Sequence, residues 1–514
     1  MVLMSQNISI IPEPVLVQVK GGYFQLDNKS LILYDDQCEN LAKSLEKFLL
    51  SYCNLKITIN QLEHEFKEVK SITLQIDQKL SALHDEAYIL KINERGIFIH
   101  SRTLRGIFYG IQTLKQIILK SLEIPYLEIE DYPRFSWRGF MLDEARHFFG
   151  MDEVKKILDV MAFFKFNILH WHLTDDQGWR IEIKRYPLLT EISSRREGTY
   201  TGPRKLMSDL QKEKSKSDNI LVSGFYSQEQ IKEIIQYADD RFISIIPEID
   251  FPGHVQSVLA AFPELSCTGG PFKVSENFGV HKDVFCIGKE DVLEFSKNVL
   301  IEVMDLFPTK LIHVGGDEVP TRRFKKCLDC QKLMKREGLE NEKQLQPYYT
   351  SKISNFIEEN GHRLIGWNEI LNSDLDESAI CQFWAGNFST AIEHVKRGRD
   401  TIMSDMRFTY FDYSYKLTPI EQSYEYDPIP DDLPSEYHGY ILGIEACLWT
   451  EYVKNTEILE YQVFPRLIAI AETGWTLKRN KNLDSFMERL NLTLKMLDDF
   501  EINYAKDEDY EVQF

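Results

Sequence analysis

The chain has 514 residues, with 60 Lys and Arg against 80 Asp and Glu, a formal net charge of −20 and a pI near 5.2. A hydrophobic fraction of 43%, with 31 Phe, 24 Tyr and 7 Trp, excludes wholesale disorder. The acidic balance excludes nucleic acid or an anionic membrane surface as partner, because both would be repelled at long range.

Met1–Val15 has neither a basic start nor a continuous apolar stretch, so no signal peptide is read there. That fits a cytoplasmic protein or a secreted form already lacking its signal. No run approaches the ~18 apolar residues of a membrane span, and no membrane association is expected. Through residue 132, short β-type segments alternate with helical ones. Leu55–Asn60, Ser71–Ile76, Ala87–Ile92 and Gly96–His100 carry strand-like alternation or β-branched content. Asp36–Ser51 and Leu104–Leu119 space their apolar residues as helices do. The expectation is a small α/β accessory domain over residues 1–132, ending at Glu130-Asp131-Tyr132-Pro133, where a strand-like segment meets a proline.

Residues 133–514 follow a different rhythm. Strand-length apolar runs recur at Arg138–Leu142, Asn167–Leu173, Phe242–Glu248, Lys310–Gly315, Arg363–Trp367, Ala379–Trp384, Asp400–Ser404 and Ile441–Ala446, with helical stretches between them. Eight such strands are what a closed parallel (β/α)8 barrel of the TIM type requires. The Lys-, Arg- and Ser-rich segment Ser193–Ser217 reads as a long surface βα loop. An amphipathic helix over Leu483–Phe500 forms a C-terminal helical tail. Eight cysteines are too sparse for a disulfide scaffold. Cys327 and Cys330 form a lone Cys-x-x-Cys with no second pair and no His nearby, so a zinc site is not expected. Cys267 and Cys286 bracket a glycine-containing loop and read as two ordinary thiols, although they could be joined. Neither a metal nor another cofactor is expected.

Chemistry in such barrels sits at the C-terminal ends of the strands. The first run leads to Asp143, Arg146 and His147, the second to Asp175, Asp176, Gln177 and Trp179, and the third to Glu248, Asp250, Gly253 and His254. The fourth ends in Gly315-Gly316-Asp317-Glu318, the fifth and sixth in Trp367 and Trp384. Tyr410 and Asp412 follow the seventh; Glu445, Trp449 and Glu451 close the eighth. Acids and tryptophans converging on one rim indicate carbohydrate, whose C–H faces stack on aromatic rings while its hydroxyls bond to carboxylates and Arg. Trp367, Trp384 and Trp449 would box one sugar ring. Asp317 and Glu318 are the sharpest pair, because two close carboxylates raise one pKa and keep one group protonated near neutrality as a general acid. Neighbours on one strand end suit poorly a glycosidase with separate acid and nucleophile. They suit a substrate-assisted one, in which a 2-acetamido oxygen attacks the anomeric carbon.

Across residues 133–475 the chain closely resembles the glycoside hydrolase family 20 β-N-acetylhexosaminidases. The resemblance rests on Arg138-Gly-Phe-Met-Leu-Asp-Glu-Ala-Arg146-His-Phe-Phe, His170-Trp-His-Leu-Thr-Asp-Asp-Gln-Gly-Trp179-Arg, Pro247-Glu-Ile-Asp-Phe-Pro-Gly-His254 and His313-Val-Gly-Gly-Asp-Glu318. It continues through Gly366-Trp-Asn-Glu369, Gln382-Phe-Trp384, Tyr410-Phe-Asp412 and Gly443-Ile-Glu-Ala-Cys-Leu-Trp-Thr-Glu451, and the N-terminal region is similar to that family's accessory domain. Phe411 stands where Leu is frequent and Asn368 where Asp is frequent. The resemblance implies hydrolysis of terminal N-acetyl-β-D-hexosamine, GlcNAc or GalNAc, from an oligosaccharide by a retaining mechanism. In it Asp317 would position the acetamido group, Glu318 would act as acid and base, and Tyr410 would bind the acetamido oxygen. Arg146 would hold the C3 and C4 hydroxyls, Asp412 and Glu451 other hydroxyls, and the three tryptophans the walls. His254, paired with Asp175 or Asp176, would support the centre. A homodimer is left open.

Two other readings fit fewer residues. A metal-dependent hydrolase would use His170, His172, His254, His313 and Asp412, but these histidines lie in strands or beside acids, with no local metal-ligand motif. A non-catalytic sugar-binding protein would keep the tryptophans and Arg146 and have no use for Asp317-Glu318.

Overall fold

The computed structural model describes residues 8–62, 70–80, 84–201, 217–373, 375 and 377–506. Its first unit is a seven-stranded mixed sheet. The strands are β1 (Leu16–Gln25), β2 (Leu31–Tyr34), β3 (Thr58–Gln61), β4 (Ser71–Ile76), β5 (Tyr88–Asn93), β6 (Gly96–Ser101) and β7 (Glu123–Asp131), in the spatial order β1-β7-β5-β6-β4-β2-β3. Helix α1 (Glu39–Cys53) lies against β2 and β3, and α2 (Leu104–Ile118) against β5 and β6. The expected strand at Leu55–Asn60 starts later, at Thr58, because a left-handed Asn54 first ends α1. β1 and β2 go beyond the sequence reading, and β7 is the strand-like segment that runs toward Pro133. β1 is an edge strand with almost every residue wet, so no core periodicity marks it. α2 is buried on nearly all sides because it is wedged between sheet and barrel. Its Gln116 reaches the Phe163 carbonyl at 3.4 Å, and its Phe108 packs on Phe242 with ring centroids 5.1 Å apart.

The second unit is the closed eight-stranded parallel barrel expected from the apolar runs. Its strands are β8 (Trp137–Asp143), β9 (Ile168–His172), β10 (Ser244–Glu248), β11 (Leu311–His313), β12 (Arg363–Trp367), β13 (Ile380–Phe383), β14 (Thr401–Met403) and β15 (Ile441–Leu448), with β15 pairing back onto β8. Among the surrounding helices are α3 (Met151–Phe163), α4 (Gln228–Asp239), α5 (Glu290–Leu306), α6 (Leu345–Glu359) and α7 (Arg466–Trp475). The tail helix α8 (Leu483–Asp499) packs on α7, where Arg489 donates to Glu472 at 2.5 and 2.8 Å. Of the loop read at Ser193–Ser217, residues 202–216 lie outside the described residues. Among the described residues no helix is long and apolar enough to cross a membrane.

The barrel interior is layered. Trp137, Ile168, Ile246, Leu311, Ile365, Ile380, Ile402 and Leu442, one from each strand, form an apolar plug at the strands' N-terminal ends. Side chains on one face of a strand recur every second residue, so the next inward positions on six strands are His170, Glu248, His313, Trp367, Gln382 and Ser404. β15 joins that level through Glu445 rather than Ile444, because a bulge between Ile441 and Gly443 shifts its register. A polar storey therefore rests on the plug and carries the site above it.

The two units are joined by buried charge. Asp131, at the end of β7, accepts from Lys165 Nζ at 2.9 Å, the Tyr88 hydroxyl at 2.7 Å and Trp475 Nε1 at 3.0 Å. Lys165 is fully buried over the Trp475 ring, 4.4 Å from its centroid, and burial holds its pKa below the usual lysine value against the pull of Asp131. Removing one member of such a pair leaves an uncompensated buried charge. Asp131→Ala is therefore expected to lower the unfolding free energy by about 3–5 kcal/mol, read from urea midpoints. The Asp131→Leu/Lys165→Met double variant should recover most of the loss. An Asp131→Ala protein as stable as the parent would show that the pair does not hold the units together.

Candidate active site

Glu248, at the end of β10 and fully buried, is the hub beneath the site. Its Oε2 lies 2.5 Å from His172 Nδ1 and 3.1 Å from His170 Nε2; its Oε1 accepts from Trp367 Nε1 at 2.9 Å and lies 3.1 Å from His313 Nδ1. Burial alone would raise the Glu248 pKa, yet the charges of His172 and His313 hold it well below the carboxylate range. His170 also meets Glu445 at 2.7 Å, and despite burial the two carboxylates lift its pKa to about 9. Glu445 further accepts from Trp137 Nε1 at 2.8 Å and Gln382 Nε2 at 2.7 Å. His172 hydrogen-bonds to carboxylates through both nitrogens, and the two nitrogens of His170 lie 2.7 and 3.1 Å from carboxylate oxygens, an environment that raises both pKa values and favours the doubly protonated rings, which have no lone pair for a metal.

The network climbs toward the rim through Asp175. His172 Nε2 lies 3.1 Å from Asp175 Oδ2, which Arg146 NH2 also reaches at 2.7 Å. Burial opposes the Asp175 charge, but Arg146 and His254 pull its pKa well below the usual value. Arg146 is clamped on two further sides, by Asp143 at 3.1 Å and by the Gln177 amide oxygen at 3.0 Å. Its guanidinium carbon sits 5.0 Å from the Trp449 ring centroid. Asp143 also accepts from the Thr450 N–H at 2.9 Å and the Thr450 hydroxyl at 3.0 Å, tying the end of β8 to the segment after β15. Of the acids offered to His254, Asp176 makes the hydrogen bond to Nδ1 at 3.1 Å, with Asp175 at 3.3 Å. Although burial disfavours its charge, these acids hold the His254 pKa well above the imidazole range.

His254 Nε2 faces the sharpest pair. It lies 3.7 Å from Asp317 Oδ2 and 3.7 Å from Glu318 Oε2. His254 (φ 49°) and Glu318 (φ 50°) are both non-glycine residues in the left-handed region, a conformation concentrated at functional sites. Gly315 (φ 63°) makes the turn possible, since a Cβ there would lie 2.0 Å from Asp250 Oδ1. Asp317 is 14% exposed and Glu318 41% exposed. The raised carboxyl of the pair is Asp317, at about 7, and burial is the largest cause; repulsion by Glu369, Glu248 and Glu318 only adds to it. Mutual repulsion was expected to raise the carboxyl that serves as general acid; the raised one is instead Asp317, the partner assigned to the acetamido group, and burial outweighs repulsion as the cause. Asp317 Oδ1 is buried with no hydrogen-bond partner among the described residues.

Aromatic rings complete the walls. Trp367, Tyr410, Met141 and Cys447 form one buried cluster, with Trp384, Trp449, Tyr413 and Met406 packed against it. Trp384 stacks on Tyr410 at 6.3 Å and 12°, and Trp449 lies 5.7 Å from Trp367 and 6.2 Å from Tyr410. Tyr410 is placed by bridging in parallel to Cys447, with the Phe411 N–H donating to the Cys447 carbonyl at 2.8 Å, so the segment carrying Tyr410 and the buried Asp412 runs beside the end of β15. Trp384 is held by its indole N–H on Glu369 at 3.1 Å and its backbone N–H on Asn368 at 3.0 Å. Glu451 is half-buried and close enough to Arg146 to favour its charge.

Every site residue named from the sequence lies at the C-terminal rim, and ion pairs or ring contacts join Arg146, Asp175, Asp176, His254, Asp317 and Glu318, and the four aromatic residues among themselves. Sequence reasoning did not assign roles to Asp143, Glu248, Asp250, Glu369 or Glu445. All five were visible as acids at or near strand ends, but what each touches depends on strands distant in sequence. A further correction concerns the thiols: Cys327 and Cys330, read as lacking a second pair, meet Cys267 and Cys286 in space.

Residues 135–478 match the sequence profile of glycosyl hydrolase family 20, catalytic domain, and residues 7–132 that of glycosyl hydrolase family 20, domain 2. The chain is 38% identical to a β-hexosaminidase of Porphyromonas gingivalis over 97% of its own length and 64% of that relative, so it spans slightly less than two thirds of that protein. It is 29% identical to a β-N-acetylhexosaminidase of Cellulomonas fimi over 94% of this chain and 93% of the other. A solved β-N-acetylhexosaminidase from Bacteroides fragilis superposes with a TM-score of 0.81 at 30% identity, covering 98% of this chain and 99% of the other. The exo-β-N-acetylglucosaminidase of Vibrio harveyi, solved in complex with N-acetylglucosamine, gives 0.82 at 29% identity over 97% and 78%.

The raised Asp317 pKa carries a stability prediction. The folded pKa of about 7 exceeds the ordinary 3.8, so the unfolded chain releases this proton first. Stability is therefore lost as pH rises between those two values. Asp317→Asn should be the more stable protein at about pH 8, by up to about 4 kcal/mol, and equal to the parent below about pH 4. Denaturant midpoints at both pH values measure this, and a difference that does not change with pH would contradict the assignment.

Proposed function

The chain belongs to glycosyl hydrolase family 20, and from that premise we propose that it hydrolyses terminal non-reducing N-acetyl-β-D-hexosamine residues, GlcNAc or GalNAc, from oligosaccharides, with retention and by substrate assistance. The observation that carries this reading is the buried, unpartnered Asp317 Oδ1 beside Glu318 and the aromatic walls. An acceptor so placed matches the N–H of a 2-acetamido group, and the V. harveyi relative was solved with such a sugar.

In the proposed reaction the sugar ring lies between Trp367, Trp384 and Trp449. Arg146 spends three of its five N–H donors on Asp143, Asp175 and Gln177 and offers the rest to the C3 and C4 hydroxyls. Asp412 and Glu451 take other hydroxyls. Asp317 accepts the amide N–H, which turns the acetamido oxygen toward the anomeric carbon, and Tyr410 donates its hydroxyl to that oxygen. As the oxygen attacks C1, Glu318 gives its proton to the departing glycosidic oxygen. The oxazolinium ion formed carries positive charge on nitrogen, and the Asp317 carboxylate offsets it. Glu318 then takes a proton from water, which opens the ring at C1 from the face the aglycone left, so two inversions give net retention. His254, charged and 3.7 Å from both carboxylates, opposes the rise in the Asp317 pKa and so favours the carboxylate that faces the oxazolinium.

Hydrolysis of an aryl N-acetyl-β-D-glucosaminide between about pH 4 and about pH 8 is the direct test, since that window brackets the Asp317 pKa of about 7. No turnover anywhere in it ends the proposal. Glu318→Gln should cost about 10²–10⁴ in kcat/KM on poor leaving groups and less on good ones, as loss of a general acid does. Replacing the substrate's 2-acetamido group by hydroxyl should abolish turnover, and equal rates on both substrates would refute substrate assistance.

A further inference from the structure

Away from the sugar pocket, four cysteines from two loops converge. Cys267 and Cys286 belong to the segment between β10 and α5, and Cys327 and Cys330 to the segment between β11 and α6. Their sulfurs are 3.8 Å apart for Cys267 and Cys330, 3.4 Å for Cys286 and Cys327, and 3.7 Å for Cys286 and Cys330, and all four lie within 4.8 Å of one another. We propose that this tetrad binds one Zn²⁺ as a tetrahedral tetrathiolate, fastening the loop after the third barrel strand to the loop that carries Asp317 and Glu318.

The spacing is the first argument. A Zn–S bond of about 2.3 Å in a tetrahedron sets sulfur–sulfur edges of about 3.8 Å, and three edges of the tetrad, at 3.4, 3.7 and 3.8 Å, lie close to that value. A disulfide needs about 2.0 Å between one pair and leaves no reason for all four sulfurs to converge within 4.8 Å. The donor set is the second argument: four soft thiolates arranged tetrahedrally select zinc, or mononuclear iron, over harder ions.

The surroundings are suited to thiolates. Cys327 is the N-cap residue, and Cys330 lies in the first turn, of the ten-residue helix Leu328–Glu337, where the positive end of the helix dipole favours negative charge. The Gly288 N–H is within hydrogen-bonding reach of the Cys330 sulfur, the kind of outer contact that orients a metal ligand. A Cβ at Gly288 would lie 2.2 Å from the Asp329 carbonyl carbon and 2.3 Å from the Cys330 nitrogen, so glycine alone lets the two loops close to this distance. Arg323, bonded to Asp283 at 2.8 Å, lies near Cys267 and supplies a cation against the net negative charge of a zinc tetrathiolate. Cys286 and Cys330 are fully buried, and Cys327 nearly so.

The fastened loop reaches the site. The Ser275 N–H donates to the Asp176 carbonyl at 3.0 Å, and the Asn277 carbonyl accepts from Gln177 at 2.8 Å, the same Gln177 that holds Arg146. The four cysteines touch no reacting atom; they are positioning residues.

The full chain, purified without metal-affinity resin or chelator, is analysed for bound metals by plasma mass spectrometry. About one zinc per chain is expected. Background metal, iron at that stoichiometry, or peptide mapping that finds any of the four cysteines in a disulfide overturns the proposal. Cobalt exchanged into the site should give the red d–d absorption and near-ultraviolet thiolate charge transfer of a tetrahedral tetrathiolate; their absence overturns it too. Cys330→Ala should lose the metal and melt at lower temperature, whereas Cys53→Ser, in α1 of the first unit, should keep both. The zinc content of the unaltered chain decides the matter even where Cys330→Ala does not fold.

Discussion

A carboxylate placed at the centre of a barrel, out of reach of water, must find its compensation in the walls, and most of the active centre follows from how Glu248 does so. Its two oxygens meet His170 and His172 from β9, His313 from β11 and Trp367 from β12. Two of these contacts fix rings that serve the site directly: His172 passes the constraint to Asp175, and Trp367 becomes a wall. Stripping such an ion of its partners would strand a charge in low dielectric, at a penalty of several kcal/mol. The geometry of the rim is therefore set from below.

The same compensation explains how a chain with 80 acidic residues builds a crowded acidic site. Glu445, Glu248 and Asp175 alternate with His170, His172, Arg146 and His254, so the buried part of the network is close to neutral however negative the surface is. Asp317 stands at the end of this chain, where only His254 offers positive charge and desolvation prevails. A carboxyl left partly uncompensated is a strained ground state. The proposed oxazolinium charge is what would relieve it.

Much of this was legible in the sequence, for reasons that also mark its limit. The eight barrel strands could be read because each is covered on both faces and leaves a short apolar run. β1 could not, since a wet edge strand leaves no apolar imprint. The alternation His170-Trp-His172 showed that both imidazoles share a face, but a metal and a buried carboxylate demand the same alternation. Only the position of Glu248 on the neighbouring strand separates them. Asp317 and Glu318 stood out as a pair, whereas the depth at which Asp317 is buried belongs to the folded chain. The Cys-x-x-Cys at Cys327 and Cys330 was visible as half of something; its other half lies more than 40 residues away, across a strand and a helix.

The plug formed by Trp137, Leu311 and the six residues level with them closes one end of the barrel for good. What lies above it is a cup with a single mouth. In the proposed reaction, the aglycone, the water and the freed sugar all use that mouth, so traffic through it is ordered: the aglycone must clear before water can enter, and the sugar leaves last. Anything that lingers at the rim, a second sugar above all, competes with water for the intermediate. In that reaction, any competition between water and a second sugar would be decided at the mouth of the cup rather than by the buried carboxylates beneath the site.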